Sequence, residues 1–267
     1  MKQLFHISQN TNASGQQVLS IRLGEKHGCF AISNKSGSEL YELAYCSADR
    51  WDEKELSNWL AAYPSLTNSF YECQVAYDFP DGLFVPAAVY KQEEATLLLN
   101  GDNNSGENII TEQVSGWQFN TIYAVPKEIQ QWLSQKFPAA KYRHQYSLEI
   151  RTIHTIREGG MLLVDFRKDD LTVMVAGGGK FLLAQCFPYS TPDDVLYYLL
   201  KICRQFSLSQ QEVVVELSGL VDKQSSLYRE LYQYFIHIAF RDADWEAGSE
   251  YPAHFFTTLN DLAKCAS

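Results

Sequence analysis

Short runs of hydrophobic residues broken by turn-forming clusters open the chain. Residues 18–23, 29–33 and 39–45 are β-rich and are separated by Gly, Asn, Ser and Lys turns at 24–28 and 34–38. That pattern predicts a three-stranded antiparallel meander. Over 52–63 the apolar positions Leu56, Trp59, Leu60 and Tyr63 recur at helical spacing, with Asp49 or Asp52 as cap and Pro64 as stop. A strand at 74–78, a loop at 80–82, a short helix near 90–99, a polar loop at 101–107 and strands at 109–113 and 119–125 follow. Pro126 is expected at the first position of a helix carrying Ile129, Trp132, Leu133 and Phe137, which Pro138 ends. The stretch 142–153 reads as a further strand.

After Arg157, Glu158, Gly159 and Gly160, which read as a junction, the early pattern returns. Strands are predicted at 161–166, 171–176 and 181–187, with a polar turn at 167–170 and a glycine turn at 177–180. A helix follows, capped by Thr191, with Pro192 at its first position and Asp193 and Asp194 in its first turn. A strand at 212–217, a loop at Ser218 and Gly219, a helix at 225–234, a strand at 235–239 and a closing helix at 253–264 complete the chain. Both halves thus show three meander strands and then alternate helix and strand, a repeat of structure rather than of sequence. The expected boundaries are 1–156 and 157–267, with the last helix able to pack back on the first half.

Composition narrows the function classes. The 267 residues are 46% hydrophobic and 13% aromatic, enough for two cores of roughly 130 residues each. The formal net charge is -10, and an acidic surface repels nucleic-acid backbones and anionic membranes. Lys141, Arg143, His144 and Arg151 form the densest basic stretch and read as ordinary strand and loop surface. The six scattered cysteines contain no C-x-x-C pair, so reduced thiols acting as small hydrophobes are expected. No run approaches the roughly 18 apolar residues of a membrane helix, and the first residues lack a secretory signal pattern. A cytoplasmic location is the expectation, without nucleic acid and without membrane insertion.

Candidate chemistry concentrates in the second half. Val164 to Val173 resembles the phosphate-binding hairpin of the actin, Hsp70 and sugar-kinase superfamily, in which an Asp precedes a Gly by two positions and a Thr follows across the turn. Asp165 and Thr172 match; Arg167 stands where the glycine is expected. Val213 to Gly219 resembles that superfamily's adenosine motif, with Gly219 its single glycine. The first half has Arg22 near where its own acid would belong. The whole chain is similar to an uncharacterised Bacteroidetes family assigned an actin-like ATPase fold, and in outline to pilus-assembly and secretion proteins that use it as a cytoplasmic scaffold. The resemblance implies an α/β protein of two ribonuclease H-like halves. Each half would hold a mixed five-stranded sheet flanked by helices. Proteins of this shape that assemble pili or secretion systems bind a partner's peptide in a groove, and the resemblance implies a protein or peptide partner here.

The departures matter as much as the matches. A hairpin glycine lets backbone N–H groups approach phosphate where a side chain would collide. Magnesium bridging phosphates needs carboxylate oxygens, and the first half lacks its acid. The preferred reading is a non-catalytic scaffold or protein-interaction protein with degenerate nucleotide-binding motifs, no catalytic residue and no resident metal or cofactor. The alternative is an ATP-binding protein or weak Mg-dependent ATPase. There Asp165 would organise a magnesium-bound water, Thr172 would contact phosphate, Gly219 would lie near the adenine, and the guanidinium of Arg22 or Arg167 would pair with phosphate. A two-metal nuclease needs a second strand acid beside Asp165. The glycine turn before Lys180 lacks the spacing and the Ser/Thr of a P-loop. Asp169 and Asp170 read as a turn, and His237, within an apolar strand, as a core residue.

Overall fold

The computed structural model describes residues 1–9, 15–99, 106–114, 116–153, 157–245 and 251–266. The loop expected at 101–107 lies, except for its last two residues, outside the described residues, as does His154. The chain forms two compact units. One comprises Met1–Arg151 with Trp245–Ala247 and Leu259–Ser267; the other comprises Thr152–Asp244 with Gly248–Thr258.

The first unit contains strands β1 (Lys2–Ser8), β2 (Gln17–Gly24), β3 (His27–Asn34) and β4 (Leu40–Ser47), helix α1 (Glu53–Ala62) and strand β5 (Glu72–Asp78). Strand β6 (Gly82–Pro86), helix α2 (Ala95–Leu98), strands β7 (Glu107–Gln113) and β8 (Phe119–Pro126), helix α3 (Lys127–Lys136), strand β9 (Lys141–His144) and helix α4 (Gln145–Glu149) follow. Its main sheet runs β1-β4-β3-β2-β5-β9. The meander is antiparallel, and β5 and β9 join parallel. The expected five strands are therefore extended at one edge by β1. A separate antiparallel sheet, β6-β8-β7, is inserted between β5 and β9.

Central strand β2 is buried from Val18 to Gly24, as expected of a strand with neighbours on both sides and both faces covered. Ile21 and Leu23 enter a core with Phe30, Trp51, Leu56, Trp59, Trp132 and Leu133. Leu56 and Trp59 lie three apart on α1, and Ile129, Trp132 and Leu133 lie on one face of α3. Asp52 caps α1 by accepting from Glu55 N at 2.8 Å. Pro126 takes the N-cap position of α3, with extended backbone, rather than the first helical turn.

Three readings are corrected here. Residues 142–153 are a short strand and then helix α4 with a 3-10 turn. All five α4 residues are buried, so no polar face marked the helical period. His144 is no surface residue: it is fully buried, accepts from Tyr146 N at 3.3 Å to cap α4, and has Nε2 3.1 Å from Phe79 O. Conversely, His237 is exposed, because its strand is a short sheet edge whose alternate residues face outward.

The second unit contains β10 (Met161–Phe166), β11 (Asp170–Gly177), β12 (Lys180–Pro188), α5 (Pro192–Gln205), β13 (Val214–Gly219), α6 (Ser226–Tyr234) and β14 (His237–Phe240). A 3-10 turn, Ala253–Phe256, leads into α7 (Thr257–Lys264), whose residues from Leu259 onward belong to the first unit. The sheet order is β12-β11-β10-β13-β14, with β13 and β14 parallel to β10. Gly178 and Gly179 turn β11 into β12 with φ of 57° and 74°, a tight hairpin that L side chains resist. Thr191 and Asp194 form a reciprocal capping box at α5, and the backbone N–H groups of Ser190 and Thr191 hold the Asp194 carboxyl below its usual range. Leu162, Val164 and Phe166 of β10 pack with Leu199, Leu217 and Leu231. The six cysteines are all free thiols. Among the described residues no helix is long and apolar enough to cross a membrane.

The aromatic centre of the first core sets a test. Trp59 is fully buried and meets Trp51 and Phe30 edge-on at ring separations of 5.7 and 6.0 Å. Trp59→Ala should cost about 3–5 kcal/mol of stability, read from the urea midpoint of unfolding.

Candidate functional site

The end of the central strand is the same in both units when read by register. In the second unit Asp165 pairs with Thr172 across the β10–β11 hairpin and with Ser218 on β13, and Thr172 pairs with Cys186 on β12. Four polar residues from four strands thus form one row across the sheet. Because side chains alternate, this row faces away from the core that Val164 and Phe166 enter. In the first unit Arg22 pairs with Cys29 across the β2–β3 hairpin and with Ala76 on β5. Arg22 therefore holds the place of Asp165, Cys29 that of Thr172, and Gly24 that of Arg167.

In the second unit the row is closed by Arg167. Its guanidinium donates from Nη2 to Thr172 Oγ1 at 3.0 Å and to Cys186 Sγ at 3.2 Å, and from Nε to the Asp170 carboxylate. Its Nη1 lies 3.6 Å from Asp165 Oδ2, and both side chains are almost wholly buried. Ser218 Oγ donates to Asp165 Oδ1 at 2.9 Å. The turn is fastened by Arg167 N donating to Asp170 O at 2.9 Å and by the Tyr189 hydroxyl donating to Arg167 O at 2.8 Å. Burial pushes the Tyr189 hydroxyl up to about 12, so it keeps its proton and its donor role.

Gly219 has a structural task. Its φ is +78°, and a Cβ there would stand 2.1 Å from Phe166 O. The close approach lets Leu220 N donate to Phe166 O at 2.8 Å and brings Ser218 against Asp165. The structure thus gathers Asp165, Arg167 and Thr172 in one network and sets Gly219 against the strand that carries them.

Arg22 belongs to the first unit. Its Nε and Nη2 lie 2.9 and 2.7 Å from Asp78 Oδ2, and His27 Nε2 lies 2.9 Å from the same oxygen. All three side chains are buried. Gly24 stands two residues beyond Arg22, the spacing of a phosphate-hairpin glycine. Its open side is filled by the chain: a Cβ at Gly24 would meet His27 Cε1 at 2.2 Å and Asp78 O at 2.6 Å. Asp78, His27, Gly24, Ser218, Cys186 and Tyr189 were not singled out from sequence as parts of a site. Only Gly24 carried a local signal, its position after Arg22. Among the described residues no group of three or more His, Cys, Asp or Glu could hold a metal ion.

Two sheets of this order in one chain, each opening on an antiparallel hairpin, make this an actin-like ATPase fold. It is similar to a protein of unknown function with that fold from Bacteroides thetaiotaomicron, with a TM-score of 0.71 and 20% identity over 87% of this chain and 93% of that one. It is also similar to a chain of the PilM–PilN type IV pilus biogenesis complex, with a TM-score of 0.54 and 12% identity over 93% of this chain and 98% of that one. Residues 7–238 match the family DUF3822, described as a protein of unknown function, and the chain belongs to that family. No curated protein matches it in sequence.

Two substitutions test the second-unit network. Arg167→Ala removes the buried cation that faces Asp165 and should cost about 3–5 kcal/mol. Arg167→Lys should recover only part, because one ammonium cannot reproduce the planar fork that spans Thr172, Cys186 and Asp170. Gly219→Ala, which forces a side chain into a left-handed position against Phe166, should cost at least about 1–2 kcal/mol. Urea unfolding of the three variants reads all of these.

Proposed function

We propose that this protein is a non-catalytic, cytoplasmic scaffold on an actin-like fold, which binds a protein partner and carries degenerate nucleotide-binding hairpins. The observation that carries the reading is the Arg167 guanidinium inside the second-unit hairpin. The groups an ATP site would draw on, Asp165 and Thr172, are already engaged with it or with Ser218. A magnesium ion beside Asp165 would meet a buried protein cation, and like charges in a low-dielectric site repel strongly. The side chain of Arg167 also stands where a glycine would leave room for phosphate to reach backbone N–H groups. In the first unit Gly24 leaves that room, but His27 fills it and Arg22 replaces the acid. On this reading the residues present do not fit magnesium and a nucleotide phosphate, and no hydrolytic step follows from them. The fold shared with a chain of the PilM–PilN complex supports a protein partner. The acidic charge of -10 argues against nucleic acid.

The competing reading, ATP binding through Asp165, Thr172, Gly219 and an arginine, is separated by one measurement. A ligand that binds only the folded state at a hundred times its dissociation constant stabilises by roughly 2.7 kcal/mol. Thermal unfolding with and without millimolar Mg-ATP should give the same midpoint. A rise that disappears in Asp165→Ala would overturn the scaffold reading and restore a nucleotide site.

A further inference from the structure

We propose that a groove in the first unit docks a short partner peptide, apolar in its middle and flanked by Lys or Arg. The proposal rests on the scaffold reading and supplies the place and chemistry of its contact. The groove has a volume of about 800 Å³, within the roughly 300–1,000 Å³ typical of ligand sites. Its floor is apolar: Trp51, Phe79 and Ile129 are 1%, 6% and 3% exposed, and Pro126 borders them.

The rim is charged, with an excess of acid. Glu25 comes from the β2–β3 turn, Asp49 from the approach to α1, Glu107 from the start of β7 and Glu128 from the first turn of α3, against Arg50 and Lys127. Arg50 Nη2 is 2.8 Å from Glu128 Oε1, so that pair is mutually neutralised. Among the described residues, Glu25, Asp49 and Glu107 remain against Lys127. An apolar floor ringed by surplus carboxylates is complementary to an apolar segment bearing basic side chains, and it repels phosphate-bearing ligands.

The experiment is selection of a random peptide library displayed on phage against the full chain, followed by fluorescence anisotropy with the enriched peptides. Peptides with Lys or Arg beside apolar residues are expected, bound less tightly as salt rises. Glu25→Lys with Asp49→Lys, both at exposed positions, should weaken binding by about tenfold or more. Glu107→Lys should act in the same direction. Glu212→Lys with Glu230→Lys, the same charge change in the second unit, should leave binding as in the wild type. Failure to enrich any peptide, enrichment of peptides without basic residues, or equal binding by the groove variants would overturn the groove. So would a dimer in sedimentation velocity that these variants abolish, which would assign the groove to a second copy of the chain. Each of these leaves the scaffold reading standing, since that reading falls on the Mg-ATP result.

Discussion

Each half of this fold is organised around a buried charge at the end of its central strand. Such a charge loses its hydration, and a partner must restore what water supplied. The two halves meet the demand with opposite signs. In the first, Arg22 on the central strand takes Asp78 from the neighbouring parallel strand and draws His27 onto the same oxygen. In the second, Asp165 on the central strand faces Arg167 from its own turn and accepts from Ser218. Much local geometry follows. Gly219 must be glycine for β13 to approach Phe166, and Gly24 must be glycine for His27 to reach Asp78. Tyr189 closes over the turn that carries Arg167.

The two hairpins carry different residues at positions that match by register. The first has a glycine without an acid; the second has an acid without a glycine. A phosphate hairpin needs both in one turn, the glycine for backbone access and the acid for the metal. Arg167 also ties strands together, since it bonds to Thr172 on β11 and Cys186 on β12 while facing Asp165 on β10. A mobile ligand could do that only when bound. A side chain does it permanently.

Much of the architecture was legible because its signals are local. The second-unit meander was read nearly to the residue: its strands are apolar runs and its turns are glycine or charge clusters. The helices α1 and α5 carried period and caps together, and α3 carried its period between two prolines. Where these signals fail, so did the reading. α4 is buried on every side and shows no period. β1 is an edge strand with only Phe5 buried, and it was missed. The inserted sheet was seen as strands but not as a separate layer, since pairing between distant strands leaves no local mark. The same limit applies to the site. Asp165 and Thr172 were found because they match a hairpin motif short enough to be read in sequence, and the register pairs them across that hairpin. Asp78 and Ser218 were not, because β-sheet register, not sequence spacing, brings them beside Arg22 and Asp165.

Internal pairing of this kind also bears on where such a protein can still recognise anything. A buried network whose donors and acceptors satisfy one another offers little to a ligand, because any newcomer must first break bonds of comparable strength. Recognition then shifts to surface whose groups are not yet matched. In the first unit that surface lies where α1 and α3 begin, where, among the described residues, carboxylates outnumber their cations. The contrast between a hairpin closed by Arg167 and a groove still short of positive charge is the physical reason to look for a partner at the groove.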